Sequence, residues 1–206
     1  MGELATLKFL VSDLGSASER PYTGVELRPH FLLQELGLRG SGIGVFAGPC
    51  HVSTEHLVDW EDRLASDPAH ARIESRRMLH FIGELFGMSL SEGVLTQRFL
   101  MATIADVLNQ SREASAAAKL NVIRRGDDLF ADGRKLSVSI VTASPVSILL
   151  HAGLNIDAHG APVPAIGLSE MGMGERLKDL VMRIEERFLE EWNDMKWACT
   201  KVRPVV

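Results

Sequence analysis

The sequence predicts an α+β fold: a mostly antiparallel sheet with helices packed on one face. Three observations carry this. Strand-like runs open the chain, a block with helical spacing fills its middle, and a cluster of short strand-like runs precedes a final amphipathic helix. Links inside that second cluster are too short for parallel crossovers. Hydrophobic residues make up 46% of the 206 positions, enough for a sizeable core, so residues 1–206 are read as a single domain.

The elements follow in order. TLKFLVSD, from Thr6 to Asp13, alternates and reads as a strand. GSASERPYTG is a loop of turn residues, and RPHFLLQELG starts a helix at Pro29 and stops it at Gly37. SGIGVFAGPCHV is a glycine-interrupted strand, whereas STEHLVDWEDRLASDP fits strand or helix. IESRRMLHFIGELFG sets Met78, Phe81, Ile82 and Leu85 at three- and four-residue spacing and predicts a helix ending at Gly87. A second helix follows, opened by the capping-box pair Ser89 and Glu92, with a stripe of Leu95, Phe99, Thr103 and Val107. SREASAAAKL is a polar, alanine-rich link. KLNVIRR, DLFADGRKLSVSIVTAS and VSILLHAGLNID are strand-rich, and a loop, AHGAPVPAIGLSEMGMG, leads into the last helix. There Leu177, Leu180, Val181, Ile184, Phe188 and Trp192 form the apolar stripe.

One stretch, RRGDDLFADGRKLSVSIVT, sets opposed charges around a turn. Asp132-Gly133 tolerates positive φ at both central positions, so a two-residue hairpin turn is expected there, flanked by Phe130 and Arg134, with the first strand ending at RRGDD. Asp128 and Lys135 then lie close along the sheet. Alternation puts Lys135, Ser137 and Ser139 on one face, lining a polar groove, and Arg134, Leu136, Val138 and Ile140 on the core side. A lysine so held can pair with a phosphate or carboxylate oxygen, with Arg125 as a second cation nearby. Surface ion pairs on a hairpin tip are the plainer explanation of the same charges.

DDLFADGRKLSVSIVT resembles the segment of biotin protein ligases in which an Asn-Asp pair precedes a Gly-Arg-Lys turn and a strand, and lipoate protein ligases carry a related motif. LLHAGLNID resembles the Gly-Ile-Asn-Val strand end of the biotin ligases, with Gly153, Leu154, Asn155 and Ile156 in those places. This likeness covers residues 119–157. YTGVELRPHF, GPCHV and MLHFI resemble an uncharacterised family, domain-of-unknown-function family 366, across nearly the whole chain. The ligase resemblance implies a biotin/lipoate ligase-like fold. It also implies that Lys135 contacts the carboxylate or phosphate of an acyl-adenylate, that Asp128 sits near the nucleotide and its magnesium, and that Asn155 has a structural role. ATP and magnesium are the cofactors it suggests. The Gly-Arg-Gly-Arg and Arg-Arg-Gly-Gly-Gly adenylate loops of those ligases are absent, and Val138 replaces the glycine beside their acyl chain.

Other signals are weaker. Cys50 and His51 are neighbours on a strand and point apart, which spoils a nucleophile–base pair. His51, His56, His80, His151 and His159 lack tight metal spacing, so no metal site is expected. Arg28 and His30, at a loop–helix junction, could close a pocket. Glu61 and Asp62 could be acid–base carboxylates, although such pairs are usually solvated. The net charge of −5, without long runs of one sign, argues against general nucleic-acid or anionic-membrane binding. No stretch reaches the length of an apolar membrane span, and two distant cysteines suggest a reduced, cytoplasmic protein. The expectation is an enzyme of the ligase or acyltransferase type, handling a carboxylate or acyl-adenylate-like small molecule. The alternatives are a non-catalytic small-ligand-binding module that has lost the adenylation loop, and an oligomeric scaffold, a homo-oligomer using its sheet edge.

Overall fold

A computed structural model describes residues 6–64, 72–113 and 120–205. Most of the alanine-rich link, Lys119 and the end of the Ser53–Pro68 stretch lie outside the described residues. In chain order the elements are β1 (Lys8–Val11), α1 (Phe31–Leu36), β2 (Gly42–Val52), α2 (Trp60–Leu64), β3 (Ile73–Leu85) and α3 (Leu90–Glu113). Then come β4 (Val122–Arg125), β5 (Asp128–Ala131), β6 (Arg134–Lys135), β7 (Ser137–Ala143), β8 (Ile148–Asp157) and α4 (Leu177–Thr200). The main sheet has the order β1-β2-β3-β8-β7, and β4-β5-β6 form a second, three-stranded sheet. Only the β1–β2 pairing is parallel among these ladders, so the sheet is mostly antiparallel.

Both faces of the main sheet are covered. Ile43, Val45, Phe81 and Leu150 share one core with Leu100 and Ile104 of α3 and with Val181, Ile184 and Phe188 of α4. Phe46, Met78 and Ile82 share a second core with Tyr22 and with Phe31 and Leu32 of α1. The long helices thus lie on one face, as expected, and the short α1 on the other. Every stripe residue of α4 is buried; burying one such large apolar side chain stabilises by roughly 1.5–3 kcal/mol.

The helix expected over residues 73–87 is instead the thirteen-residue strand β3. Its Met78, Phe81, Ile82 and Leu85 are divided between the two cores, Met78 and Ile82 on one face, Phe81 and Leu85 on the other. A strand apolar on both faces has no alternation, and its run of apolar residues imitates helical spacing. The helix expected after it is α3, and its capping box forms: Glu92 N–H donates to Ser89 Oγ (3.3 Å), and Ser89 N–H to Glu92 Oε2 (2.6 Å). Thr103 and Val107 of the expected stripe are buried and Phe99 packs against the core, but Leu95 is 68% exposed, and the buried face also takes in Leu100, Met101, Ile104 and Leu108.

The charged stretch forms two consecutive hairpins rather than one. Arg125 pairs with Asp128 around Gly126-Asp127, and Ala131 pairs with Arg134 around Asp132-Gly133. Asp132 (φ 52°) and Gly133 (φ 70°) are both left-handed, the conformation a two-residue hairpin turn demands. The residues flanking that turn are Ala131 and Arg134, one position from the expected Phe130. Gly126 (φ 64°) supplies the first turn, so the RRGDD stretch is itself a corner.

Candidate functional site

A cleft of about 300 Å³ opens on the sheet face opposite the long helices. Its floor comes from Met78 of β3, Val138 and Ile140 of β7, His151 and Asn155 of β8, and Tyr22 from the loop before α1. Asp127, Asp128 and Lys135 of the double hairpin stand at one side, and Asp59, Glu61 and Asp62 around α2 at another.

Leu136 explains how Lys135 reaches this place. Its N–H donates to Leu129 O of the small sheet (2.8 Å), and its carbonyl accepts from Asn155 N–H of the main sheet (2.9 Å). The chain changes sheets at this one residue, and the side-chain alternation is reset there. Lys135 therefore faces the cleft while Leu136 is buried in the helix-side core. The expected faces beyond Leu136 are reversed. Ser137 and Ser139 pair across the ladder with the helix-side residues Leu154 and Ala152, whereas Val138 and Ile140 pair with Gly153 and His151 on the cleft face. Both serines border the cleft, but their hydroxyls are committed. Ser137 Oγ accepts from Leu129 N–H (2.8 Å). Ser139 Oγ donates to Asp127 O (2.9 Å) and accepts from Gln97 Nε2 (2.8 Å). They fasten the hairpins to β7.

Lys135 Nζ lies 2.9 Å from Asp128 Oδ2, with side chains 32% and 25% exposed. Burial pushes the Asp128 carboxyl above its ordinary range; the Lys135 ammonium pulls it back, and the nearby Asp127 and Asp62 push it up further. The lysine backbone is pinned on both sides: its N–H donates to Pro164 O (2.9 Å), and its carbonyl accepts from Ile166 N–H (3.0 Å). Asn155 Nδ2 adds a bond to the same carbonyl (3.3 Å). Asn155 thus positions Lys135 through the main chain.

Three of the residues expected at the site are absent from the cleft wall. Arg125 projects over the Phe130 ring, 5.4 Å from its centroid. Arg28 is bound to Gln34 and Glu35 of α1, the latter at 3.2 Å. His30 occupies the left-handed residue before α1, where its N–H donates to the buried Glu84 (2.8 Å) and its ring lies over Phe86. Arg28 and His30 hold the loop before α1 and the start of that helix. Glu61 and Asp62 do border the cleft. Cys50 and His51 point apart, as strand alternation requires: the buried thiol is pushed up to about 12 by burial, and the exposed His51 pairs with Glu74 at 3.1 Å.

Apart from Asn155, sequence reasoning missed the floor. Tyr22 stacks on His151 with centroids 3.7 Å apart, and His151 Nε2 lies 3.1 Å from His80 Nδ1. Both imidazoles are buried, which pushes His80 down to about 3 and His151 well below its ordinary value, so both are neutral at pH 7. Tyr22 is brought here by a loop running along β2, where Arg20 N–H donates to Ala47 O (2.9 Å). A Cβ at Gly48 would sit 1.9 Å from the Arg20 carbonyl oxygen, so only glycine permits this approach. No local sequence signal marks residues brought together from four separate segments.

Among the described residues no helix is long and apolar enough to cross a membrane. Residues 14–203 match the model of a family described as a domain of unknown function, DUF366. An uncharacterized protein of Methanocaldococcus jannaschii is 28% identical over 187 residues, 90% of this chain and 81% of its own length. A solved protein of unknown function from Pyrococcus horikoshi is 32% identical, with a TM-score of 0.82 over 97% of this chain and 100% of that one. Biotin protein ligases share the fold at lower identity. The Aquifex aeolicus enzyme in complex with biotin and ATP is 15% identical, with a TM-score of 0.55 over 93% of this chain and 72% of its own. The Leishmania major enzyme in complex with biotinyl-5-AMP is 10% identical, with a TM-score of 0.52 over 92% and 75%.

Proposed function

The chain belongs to the DUF366 family, a domain of unknown function, and from that premise we propose that its cleft binds a small carboxylate or acyl-phosphate ligand and acts on it as an enzyme of the ligase or acyltransferase type. One observation carries the reading: a lysine pinned through both its N–H and its carbonyl, facing a cleft with a partly apolar floor and partnered there by a single carboxylate of raised pKa. That pair can exchange. An incoming anion takes the ammonium, and Asp128 takes up a proton or swings to another partner. Lys135 then stabilises negative charge on the acyl or phosphoryl oxygen as it develops, held in place by Asn155 and the 164–166 loop. The shared fold supports the reading, since the ligases named above were solved with biotin, ATP or an adenylate.

Nucleotide and magnesium fit these residues poorly. Asp127 is engaged by Arg98 (3.2 Å) and Asp128 by Lys135, and the described residues contain no cluster of three or more metal-binding side chains. The glycine-rich stretch near residue 42 forms no phosphate loop. It is the start of β2, where a Cβ at Gly42 or Gly44 would meet Leu38 or Leu36 within 3 Å. These glycines admit α1 and its following turn against the sheet. No step is therefore assigned to ATP. The same observation favours the second reading, a ligand-binding module without turnover.

Thermal-shift titration against a panel of carboxylic acids, with and without ATP and magnesium, tests both. Stabilisation by an acid that Lys135→Ala abolishes supports the site, and pyrophosphate release with that acid would establish a ligase. Stabilisation with no turnover selects the binding module. An acid panel without effect on the folded protein removes the proposal.

A further inference from the structure

The imidazole pair on the cleft floor has a settled proton arrangement. His80 Nε2 lies 3.3 Å from the carbonyl oxygen of Gly48, which can only accept, so that nitrogen carries the proton. A neutral imidazole has one N–H, so His80 Nδ1 is a lone pair. His151 Nε2, 3.1 Å away, must donate to it. His151 Nδ1 is then also a lone pair. Among the described residues no protein group donates to it, although the ring is only 3% exposed and forms part of the cleft wall. One ring face is taken by Tyr22 and the Nε2 edge by His80. His151 Nδ1 is not among the fully enclosed atoms that lack a hydrogen-bond partner, which in the described residues are Arg77 Nε and Trp192 Nε1, so it meets the cleft, where a donor can reach it.

We propose that His151 Nδ1 is a ligand-binding acceptor at the inner end of the cleft, so that the ligand is a compact acid with its anionic end on Lys135 and an O–H or N–H donor at its far end. The proposal rests on the reading of Lys135 as the anion site. The body of such a ligand lies over Val138, Ile140 and Met78, the apolar part of the floor. Val138 in particular narrows the passage, because its ladder partner Gly153 already gives its space to Met78. A short ligand fits this floor better than a long acyl chain. The Gly48 carbonyl orients His80, which orients His151, so the acceptor is preorganised.

The test uses ω-hydroxyalkanoates of increasing chain length, each against its ω-methyl ether, which keeps the carboxylate and loses the donor. At the best length the hydroxy acid binds about five- to tenfold more tightly than its ether, the effect of one hydrogen bond. His151→Phe abolishes that preference. Because this change also removes the donor to His80 and could cost folding, nitrogen-15 spectra of the unmodified protein give a second readout. The Nδ1 resonance of His151 starts unprotonated and moves upfield with the hydroxy acid but not with the ether. Equal binding of each pair, with both weakened by Lys135→Ala, overturns the histidine's role and leaves the anion site standing. A proton on His151 Nδ1 in the free protein overturns it as well. Binding of neither series removes this inference together with the reading it rests on.

Discussion

Lys135 is held by its backbone on both sides and by one carboxylate at its ammonium. Its ammonium is already paired, so removing it leaves Asp128 partly buried beside Asp127 and Asp62. Lys135→Ala is expected to destabilise by about 1 kcal/mol, more than an ordinary surface change, and Asp128→Asn made with it to recover part of that loss. Denaturant unfolding of the two single variants and the double variant measures this, and strictly additive effects would show that the pair carries no stability. The two buried histidines make a separate claim. Their folded pKa values lie below the unfolded value near 6.5, so the unfolded chain binds more protons between there and about pH 3. Stability is fully present above the unfolded pKa and falls as pH drops from about 6.5. The limiting slope is about 1.4 kcal/mol per pH unit for each histidine. Chemical denaturation across this range, compared with a His80→Phe variant, should show the shallower dependence in the variant.

At the scale of elements, the close run of the Tyr22 loop along β2 depends on one missing side chain. Gly48→Ala must push the Arg20 carbonyl away and is expected to destabilise by about 2–3 kcal/mol. Thermal unfolding of that variant checks it, and an unchanged midpoint would show that the loop is not locked against the strand. Elements whose pattern is local were legible in the sequence. The stripe of α4, the Ser89–Glu92 cap and the Asp132-Gly133 turn each depend on residues a few positions apart. β3 was not legible, because a strand covered on both faces spreads its apolar residues over two cores. Leu136 explains the other misreading: alternation was carried through a residue where the chain changes sheets, which reversed Ser137 and Val138. Lys135, Asp128 and Asn155 could be found because they lie within thirty residues of one another in a motif resembling the ligases. Tyr22 and Met78 come from distant segments, and His151, although it lies four residues before Asn155, stands outside the matched motif positions; only the fold brings the three to one floor.

For the molecule as a whole, the main sheet divides two kinds of work. One face, under α3 and α4, is core; the other, beneath α1 and the loops, leaves the cleft between the double hairpin and the α2 segment. The Asp59, Glu61, Asp62 and Glu74 carboxylates border this cleft, with Arg72 as a further cation, so an anion entering it needs Lys135 freed. In the proposed function Asp128 and an external anion compete for that ammonium. The direct measurement is calorimetric titration of an alkanesulfonate, whose charge does not change over the range, against the protein at a series of pH values. Affinity should rise as pH falls and Asp128 takes up its proton. In Asp128→Asn it should be higher at neutral pH and nearly independent of pH, and in Lys135→Ala it should be lost. A pH dependence that is the same in the native protein and in Asp128→Asn, or sulfonate binding that survives Lys135→Ala, would contradict the account.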